Sequence, residues 1–139
     1  TSLFPGRIAS DLRTCWFPVF LFAVLILVVY YPALFAGYVW DDLLTLNDPR
    51  VQNVVGFPGL WLDISHPING DYWPVTYTSH WIEFRLWGMH PLGYHATNIV
   101  LHFANTLILF YLLRRMQMSG ALLVALLFSI HPVQISSVA

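Results

Sequence analysis

Two adjacent carboxylates, Asp41 and Asp42, come shortly after an apolar stretch, in the string AGYVWDDLL. A carboxylate that a rigid helix end holds at a membrane surface can act as a general base. Two neighbouring carboxylates that are partly removed from water also repel each other, which raises the pKa of one of them or favours a bound cation. The same residue types also flank membrane spans and cap helices. The pair alone leaves both interpretations open.

A second polar set lies in a later apolar stretch, where His95, Asn98, His102 and Asn105 are spaced 3, 4 and 3 residues apart. This spacing places all four on one face of a helix. Polar groups in lipid are expected to face a bundle interior or a water-filled cavity, because an unsatisfied polar group in hydrocarbon is costly. Hydrogen-bonded links between helices are the alternative. His95 lies nearest the outer surface and is therefore our candidate for a substrate-binding side chain.

The pair His131-Pro132 interrupts a third apolar stretch. Proline kinks a helix and frees a carbonyl, while the histidine adds an ionisable group that is a further substrate-binding candidate. A satisfied histidine at a kink is the simpler interpretation. No Cys/His spacing typical of zinc and no glycine-rich phosphate loop occurs in the sequence, so metal and other cofactors are not assigned, although a divalent metal is possible.

The elements that would position these residues are membrane spans. Hydrophobic residues make up 58% of the 139-residue chain and charged residues only 9%, against about 25% charged in soluble domains. Six arginines, no lysine and a net charge of -1 provide no basic surface, which excludes nucleic acid as a partner. The chain begins without methionine and stops within an apolar stretch, so we expect a segment of a longer protein.

Span lengths follow from apolar runs, since about 20 helical residues cross the hydrocarbon layer. We predict an all-α membrane protein, a polytopic helical bundle whose external loop contains short interfacial helices. A cleaved signal peptide is the alternative for the first run, but this run exceeds the apolar core of such peptides, about 7 to 15 residues, and no clear cleavage site follows it. The predicted segments are a cytoplasmic stub (1–15), spans at 16–36 and 92–113, an external loop (37–91), a cytoplasmic turn (114–119), and a truncated third span (120–139) kinked at His131-Pro132.

Charge sets the expected topology. The stub and the short turn each carry two arginines, whereas the segment between the first two spans carries six acids and two arginines, so that segment is expected on the non-cytoplasmic side. Within it, 76–87 has the period of a helix along the membrane surface, with Glu83 and Arg85 pointing away from its apolar face. That face would consist of Tyr77, Trp81 and Phe84. Three tryptophans are expected at the headgroups, namely Trp73, Trp81 and Trp87.

Three strings together resemble one family: VWDD, then YWPVTYTSHWIEFRLWGMHPLGYHATNIVLH, and finally LFSIHPVQISSVA. They are similar to the N-terminal membrane region of the TMTC proteins, the transmembrane and tetratricopeptide-repeat-containing O-mannosyltransferases, which are related to other GT-C glycosyltransferases. The resemblance covers about 31–139. It implies an enzyme that moves a sugar, such as mannose, from a polyprenyl- or dolichyl-phosphate donor to an acceptor hydroxyl of a protein or glycan on the external face of the bilayer.

By this resemblance, Asp41 takes the place of the general base and Asp42 is its partner. Arg85 and His90 are candidates for holding the donor phosphate, because arginine offers a two-pronged hydrogen-bond donor. For the location we prefer a bacterial plasma membrane, with the endoplasmic reticulum membrane expected if the source is a eukaryote. One departure matters: Ser136 stands where HPV-x-x-E-S-V-A would have glutamate.

Two alternatives remain beside the enzyme. The missing glutamate favours a catalytically silent membrane scaffold whose repeats would bind partners. A transporter, in which the His/Asn stripe and the aspartates line a path, ranks last because no inverted repeat is visible. The sequence does not explain why a histidine stands at position 80.

Overall fold

The structure, a computed structural model, describes residues 16–38 and 42–134, and every regular element in them is a helix. The prediction of an all-helical chain is confirmed for this part of the sequence. Three 3₁₀ turns, Tyr31–Phe35, Val54–Gly56 and Pro132–Gln134, accompany the α-helices. The helices are α1 Trp16–Tyr30, α2 Asp42–Leu46, α3 Pro49–Gln52, α4 Phe57–Leu62, α5 Pro74–Trp87, α6 Pro91–Arg115 and α7 Ala121–Ile130.

The chain divides into two compact units. A terminal unit comprises Thr1–Leu34 and Thr97–Ala139, and a central unit comprises Phe35–Ala96. The terminal unit contains α1, most of α6 and α7, whereas the central unit contains the short helices α2 to α5. The long apolar helices therefore belong largely to one unit and the predicted external segment to the other.

Two helices of the described chain are long and apolar enough to cross a membrane. They are Trp16–Phe35, which joins α1 to its 3₁₀ turn over 20 residues, and Pro91–Arg115 with 25 residues. Their lengths agree with the spans predicted at 16–36 and 92–113, and both lie in a chain with little charge to exclude them from lipid. The third apolar helix, α7, has only 10 residues.

Of the break or kink that His131-Pro132 predicts, the structure shows a break, because the helix stops there. α7 ends at Ile130, and His131 adopts an extended backbone with φ -67° and ψ 130°. A proline disfavours helical backbone at the preceding residue, which explains why the end falls at this place. A 3₁₀ turn, Pro132–Gln134, follows, and residues 135–139, including Ser136, lie outside the described residues.

In the terminal unit, α1 uses a stripe of residues four apart. Phe22, Ile26 and Tyr30 are nearly inaccessible to water, whereas the residues between them are partly or fully exposed. Rows of residues four apart form the ridges by which helices pack. Phe22 contacts Phe110 of α6 edge to face, with ring centroids 5.3 Å apart, and Ile26 and Tyr30 cluster with Ile99 of the same helix.

α7 packs through small side chains. Ala121, Ala125 and Ser129 are buried, again at a spacing of four residues, while the larger side chains of this helix are mostly exposed. α7 approaches α1 closely, and Ala121 and Ala125 share a cluster with Phe22. Small residues at such intervals let two helix backbones come near each other, as is common between membrane helices.

The central unit has its own core, and two of its helices, α3 and α5, start at proline. Asp48 caps α3 by accepting a hydrogen bond from the Arg50 backbone N–H at 2.8 Å, with Pro49 at the first helical position. α5 begins at Pro74 and ends at Gly88, whose φ of +59° suits glycine. The buried core residues are Leu46, Val51, Leu60, Ile68, Tyr77 and Tyr94.

The helix predicted at 76–87 is present within α5, and its apolar face packs on the core of the central unit. Tyr77 is buried, and Trp81 and Phe84 pack against the same core. Trp81 is partly buried, with its ring centroid 5.0 Å from that of Phe57. Trp73 and Trp87 are substantially exposed, as headgroup tryptophans would be.

A tight turn organises the loop before α5. Asn69 (φ 54°) and Gly70 (φ 84°) both have positive φ, the pattern of an Asn-Gly turn, and the Asp71 N–H donates to the Ile68 carbonyl at 3.0 Å. The Tyr77 hydroxyl lies 2.9 Å from the carbonyl oxygens of both Ile68 and Asp71. The turn is thereby fixed to the start of α5.

Candidate functional site

The candidate site is built around Asp42, since Asp41 lies outside the described residues. Asp42 is the first residue of α2 and is partly buried. Burial, and then the charge of Asp42, raise the pKa of the Tyr38 phenol above its usual value. Tyr38 therefore keeps its proton at neutral pH.

Tyr38 is fixed by a second tyrosine. Its ring meets that of Tyr94 edge to face, with centroids 5.9 Å apart, a favourable arrangement for aromatic pairs. Tyr94 is itself anchored, because its hydroxyl donates to the Gly88 carbonyl at 2.8 Å. The Tyr38 hydroxyl oxygen, by contrast, is buried and has no hydrogen-bond partner within the described part of the chain.

A buried acid lies behind this tyrosine pair. Glu83 was expected to point away from the core, and that expectation is wrong: its side chain is only 8% exposed. The Nδ1 atom of His80 lies 3.3 Å from Glu83 Oε2, although the angles are not those of a hydrogen bond. Ser79 Oγ donates to the same oxygen at 3.5 Å. A buried carboxylate is costly unless a positive group or hydrogen bonds compensate, so His80 acquires a clear role.

His80 also contacts the tyrosine pair. Its ring centroid lies 6.1 Å from that of Tyr94. Tyr38, Tyr94, His80 and Glu83 thus form a continuous set of polar and aromatic side chains, which we call the tyrosine cluster. In this order the contacts lead from Tyr38 to the buried carboxylate of Glu83.

Arg85, predicted to bind a donor phosphate, already donates some of its hydrogen bonds to the protein itself. Its Nη1 atom donates to the Val51 carbonyl at 3.2 Å and to the Trp81 carbonyl, and its guanidinium carbon lies 3.4 Å above the centre of the Trp81 ring. Nε and Nη2 are buried without a partner in the described residues. Burial lowers the pKa of Arg85, yet arginine stays charged in proteins. Two donors are therefore uncommitted, but neither is open to solvent.

The two histidines beside α6 differ in exposure. His90 precedes the helix, is exposed, and its carbonyl accepts a hydrogen bond from the Gly93 N–H at 3.3 Å. His95, one turn into the helix, is 3% exposed, and neither ring nitrogen has a partner among the residues described. His90 can meet a solvent-borne ligand directly, whereas His95 is a buried imidazole whose hydrogen-bonding capacity is unused.

The remaining predicted residues belong to the terminal unit. His131 is exposed, and its Nδ1 accepts a hydrogen bond from the Val133 N–H at 3.2 Å, as expected where a helix ends. His102 is 4% exposed and lies 3.0 Å, through Nε2, from the Ser129 carbonyl. Asn105 is exposed. For His102 the structure favours a link between helices over a ligand site.

A network of hydrogen bonds around Arg50 in the central unit was not predicted from the sequence. Nε and Nη2 of Arg50 donate to the two carboxylate oxygens of Asp48 at 3.0 and 2.8 Å, and Nη1 donates to the His66 carbonyl at 2.7 Å. Asp63 approaches Nη1 at 3.4 Å. Hydrogen bonds from Arg50 hold the pKa of Asp48 below its usual value, and Ser65 and His66 do the same for the pKa of Asp63. Because its guanidinium is fully hydrogen-bonded, Arg50 has a structural role. The string Asp48-Pro49-Arg50 is the sequence feature from which this network could have been predicted.

Tyr38 and Glu83 were also missed as members of the site. A signal existed for Tyr38, since it precedes Asp42 by four residues. None existed for Glu83, because its burial depends on residues from outside α5. No group of three or more His, Cys, Asp or Glu side chains that could hold a metal ion occurs among residues 16–38 and 42–134.

Comparison with known proteins places this chain beside animal enzymes. It is 31% identical over 128 residues to Protein O-mannosyl-transferase Tmtc1 of Drosophila melanogaster, an alignment that covers 84% of the chain and 15% of that protein. It is 31% identical over 116 residues to Protein O-mannosyl-transferase TMTC1 of Mus musculus, with 73% of the chain and 12% of the relative aligned. Mouse TMTC3 is 26% identical over 121 residues.

The chain thus spans only about an eighth of the length of these curated relatives, from 12% to 15%. No family model matches it, and no solved structure does.

Proposed function

Because the chain belongs to the TMTC-like family, we propose that the intact protein is a membrane glycosyltransferase that transfers mannose or a similar hexose to a protein hydroxyl. The observation that carries this proposal is the alignment with named protein O-mannosyl-transferases over most of the chain. That alignment includes the length of sequence between the two long apolar helices. The chain alone contains a small share of such an enzyme, so we expect it to be inactive by itself.

In the proposed reaction, a carboxylate of the Asp41-Asp42 pair removes the proton of the acceptor hydroxyl. The oxygen then attacks the anomeric carbon of the sugar while the lipid phosphate leaves from the opposite face, in a GT-C type of transfer. General-base catalysis needs a group within hydrogen-bond reach of the acceptor. The partial burial of Asp42 at the start of α2 supports this role, since it limits competing water.

The donor in this proposal is a polyprenyl- or dolichyl-phosphate sugar. Phosphate needs positive or donating groups, and Arg85, His90 and His95 are the candidates in the central unit. The buried, unused donors of Arg85 and the unpartnered ring of His95 support them. His131 remains a candidate of lower rank, because its Nδ1 already has a backbone partner.

The protein is proposed to be multi-pass, with the central unit on the non-cytoplasmic side. A bacterial plasma membrane is our preference, and an endoplasmic reticulum membrane is the proposal for a eukaryotic source. The acid-rich segment between the two candidate spans and the arginines that end α6 support this orientation.

The proposal is tested with the purified full-length protein, mannosyl-phosphoryl polyprenol as donor and a library of serine- and threonine-containing peptides as acceptor. We expect O-linked hexose on the peptides. Glycoproteomics on cells that lack the gene is the matching measurement in vivo, and we expect specific O-linked hexoses to disappear. Unchanged glycosylation together with no transfer in vitro would exclude the enzyme.

A second candidate is a catalytically silent scaffold that anchors tetratricopeptide repeats. The specific observation in its favour is Ser136 in place of the expected glutamate. Replacing Ser136 by glutamate separates the two: an active enzyme transfers sugar without this change, whereas a silent protein whose defect is the missing acid gains activity only with it.

A further inference from the structure

A short turn of the central unit leaves its apolar side chains open to solvent. The 3₁₀ turn Val54–Gly56, which we call the valine turn, carries two valines that are 70% and 89% exposed. Val55 is the most exposed large hydrophobic side chain in the described parts of the chain. Single exposed apolar side chains are common, but two adjacent ones with this exposure indicate a contact surface.

The backbone on both sides of the valines is fixed. The N–H and the side-chain amide of Asn53 donate to the Pro49 carbonyl at 3.0 and 2.9 Å, and the Asn53 carbonyl accepts a hydrogen bond from Trp81 Nε1 at 3.1 Å. Gly56 lies so close to the Arg50 backbone that any side chain there would collide with it. The valines therefore cannot retreat into the core without breaking these contacts.

The turn lies in a stretch without charge. Residues 51–62 include no acid, arginine or histidine, and the next charged residue is Asp63, which follows α4. Pro58 and Trp61 of α4 are also exposed. An apolar surface of this kind fits either another protein surface or the hydrocarbon of a membrane.

The connections of the central unit favour the membrane. This unit, Phe35–Ala96, is joined at both ends to the two helices that are long and apolar enough to cross a bilayer. A bilayer that holds those helices is present at a high effective concentration, whereas a separate protein would have to be recruited. The valine turn is also bonded to Trp81 of α5, and the next residue, Ile82, is 48% exposed. Tryptophan among apolar side chains is typical of a membrane–water interface.

We propose that the valine turn inserts Val54 and Val55 into the edge of the hydrocarbon layer and thereby seats the central unit on the membrane. The partner is the phospholipid surface of the non-cytoplasmic leaflet, and the turn carries no charge with which to select a headgroup. This proposal rests on the multi-pass placement of the proposed function.

The test introduces the photoreactive residue benzoylphenylalanine at one position at a time in the full-length protein in phosphatidylcholine vesicles. Mass spectrometry then identifies what each position cross-links. Position 55 probes the turn, Val28 of α1, 68% exposed, is the lipid-facing control, and His66, with a side chain 82% exposed, is the water-facing control. We expect at least about tenfold more phospholipid adduct at position 55 than at position 66, the preference that burial of one valine side chain provides.

A second variant tests the valines themselves. With the probe at exposed Pro58, replacing both Val54 and Val55 by serine should reduce the phospholipid adduct severalfold, because the turn then lacks the apolar side chains that insert. An undiminished adduct would mean that the valines do not hold this surface on the membrane.

The outcomes separate this inference from the proposed function. Phospholipid adducts at position 28 without any at position 55 overturn the inference and leave the membrane enzyme intact. A cross-link from position 55 to another segment of the protein or to a second copy also overturns it, since a protein surface then covers the turn. Absence of phospholipid adducts at both positions overturns the multi-pass placement together with the inference.

Discussion

The imidazole of His102 on α6 satisfies a carbonyl that the end of α7 leaves without a helical partner, that of Ser129, with 3.0 Å between Nε2 and the oxygen. The last carbonyls of a helix lack intrahelical donors. Here the N–H of Val133, four residues on, turns instead to His131 Nδ1. Because a carbonyl only accepts, Nε2 of His102 carries the proton. His102 of the polar stripe therefore contacts the end of α7, two residues before His131-Pro132.

This contact predicts the effect of replacing His102 by phenylalanine. Phenylalanine keeps a ring beside Tyr30 and Phe128, whose centroids lie 5.2 and 5.3 Å away, but removes the donor. We expect a loss of about 1 kcal/mol in unfolding free energy, typical of one hydrogen bond between membrane helices. Unfolding of the full-length protein in detergent measures it. Asn105→Ala, at an exposed position of the same helix, is the control and should have little effect; equal losses in both variants would contradict the role of this contact.

Acid is expected to weaken the central unit through Asp48. Hydrogen bonds from Arg50 lower the pKa of Asp48 below its usual 3.8, so the stabilisation is complete above about pH 3.8 and is lost as pH falls through the lower folded value. Hydrogen exchange of the α3 amides, followed from pH 6 down to about pH 3, should show protection falling at the acid end. The Asp48→Asn variant should have weaker protection with a smaller dependence on pH over this range, the remainder being due to Asp63. A pH response identical to that of the wild type would be incompatible with this assignment.

A double-mutant cycle tests the buried pair His80 and Glu83. The Glu83 side chain is only 8% exposed and lies 3.3 Å from His80 Nδ1, so removing this polar neighbour by His80→Ala should lower the unfolding free energy by about 2 kcal/mol. Replacing Glu83 by glutamine in the same chain should recover part of that cost, since a neutral amide is cheaper to bury than a charge. Chemical denaturation in detergent gives the four free energies. Strictly additive effects would show that the two side chains do not interact.

The outer face of α5 predicts where the central unit meets lipid. Val75, Ile82 and Leu86 are exposed and lie on one face of the helix, opposite the core residues Tyr77 and Trp81. We expect this stripe to rest in the headgroup region. Nitroxide labels at Ile82 and Leu86 in bicelles should be relaxed more by lipid-dissolved oxygen than by a water-soluble nickel reagent. A label at exposed Ser65 should behave oppositely, and equal water access at all three sites would exclude the placement.

The long helices could be predicted from sequence because their length and composition follow a simple rule. A stretch of about 20 apolar residues without charge is typical of a helix that can cross a membrane, and the arginine pair Arg114 and Arg115 marks the end of α6. The face of α5 that carries Tyr77 was equally readable from its period. The end of α7 required more: proline indicated a break, and only the structure distinguishes a stop at Ile130 from a kink.

The candidate site was less predictable, because burial of a polar side chain is a property of distant neighbours. Glu83 looks like an outward charge on an amphipathic helix, yet it lies buried beside His80. Arg85 looks free for a phosphate, yet its Nη1 is held by the carbonyl of Val51, 34 residues earlier in the chain. Tyr38 could not be assigned to the site from the sequence, because its contact with Tyr94 joins distant parts of the chain. The helical period of the sequence predicts none of these contacts.

The most direct test of the proposed enzyme is sugar transfer by full-length Asp41→Asn and Asp42→Asn variants. Asparagine keeps the size of the side chain but cannot accept the proton, so at least one of the two changes should lower turnover about 100-fold or more, with donor binding retained. Asp71→Asn, which neutralises an exposed carboxylate of the same unit, is the matched control and should transfer normally. Wild-type turnover in both Asp41→Asn and Asp42→Asn would contradict the account.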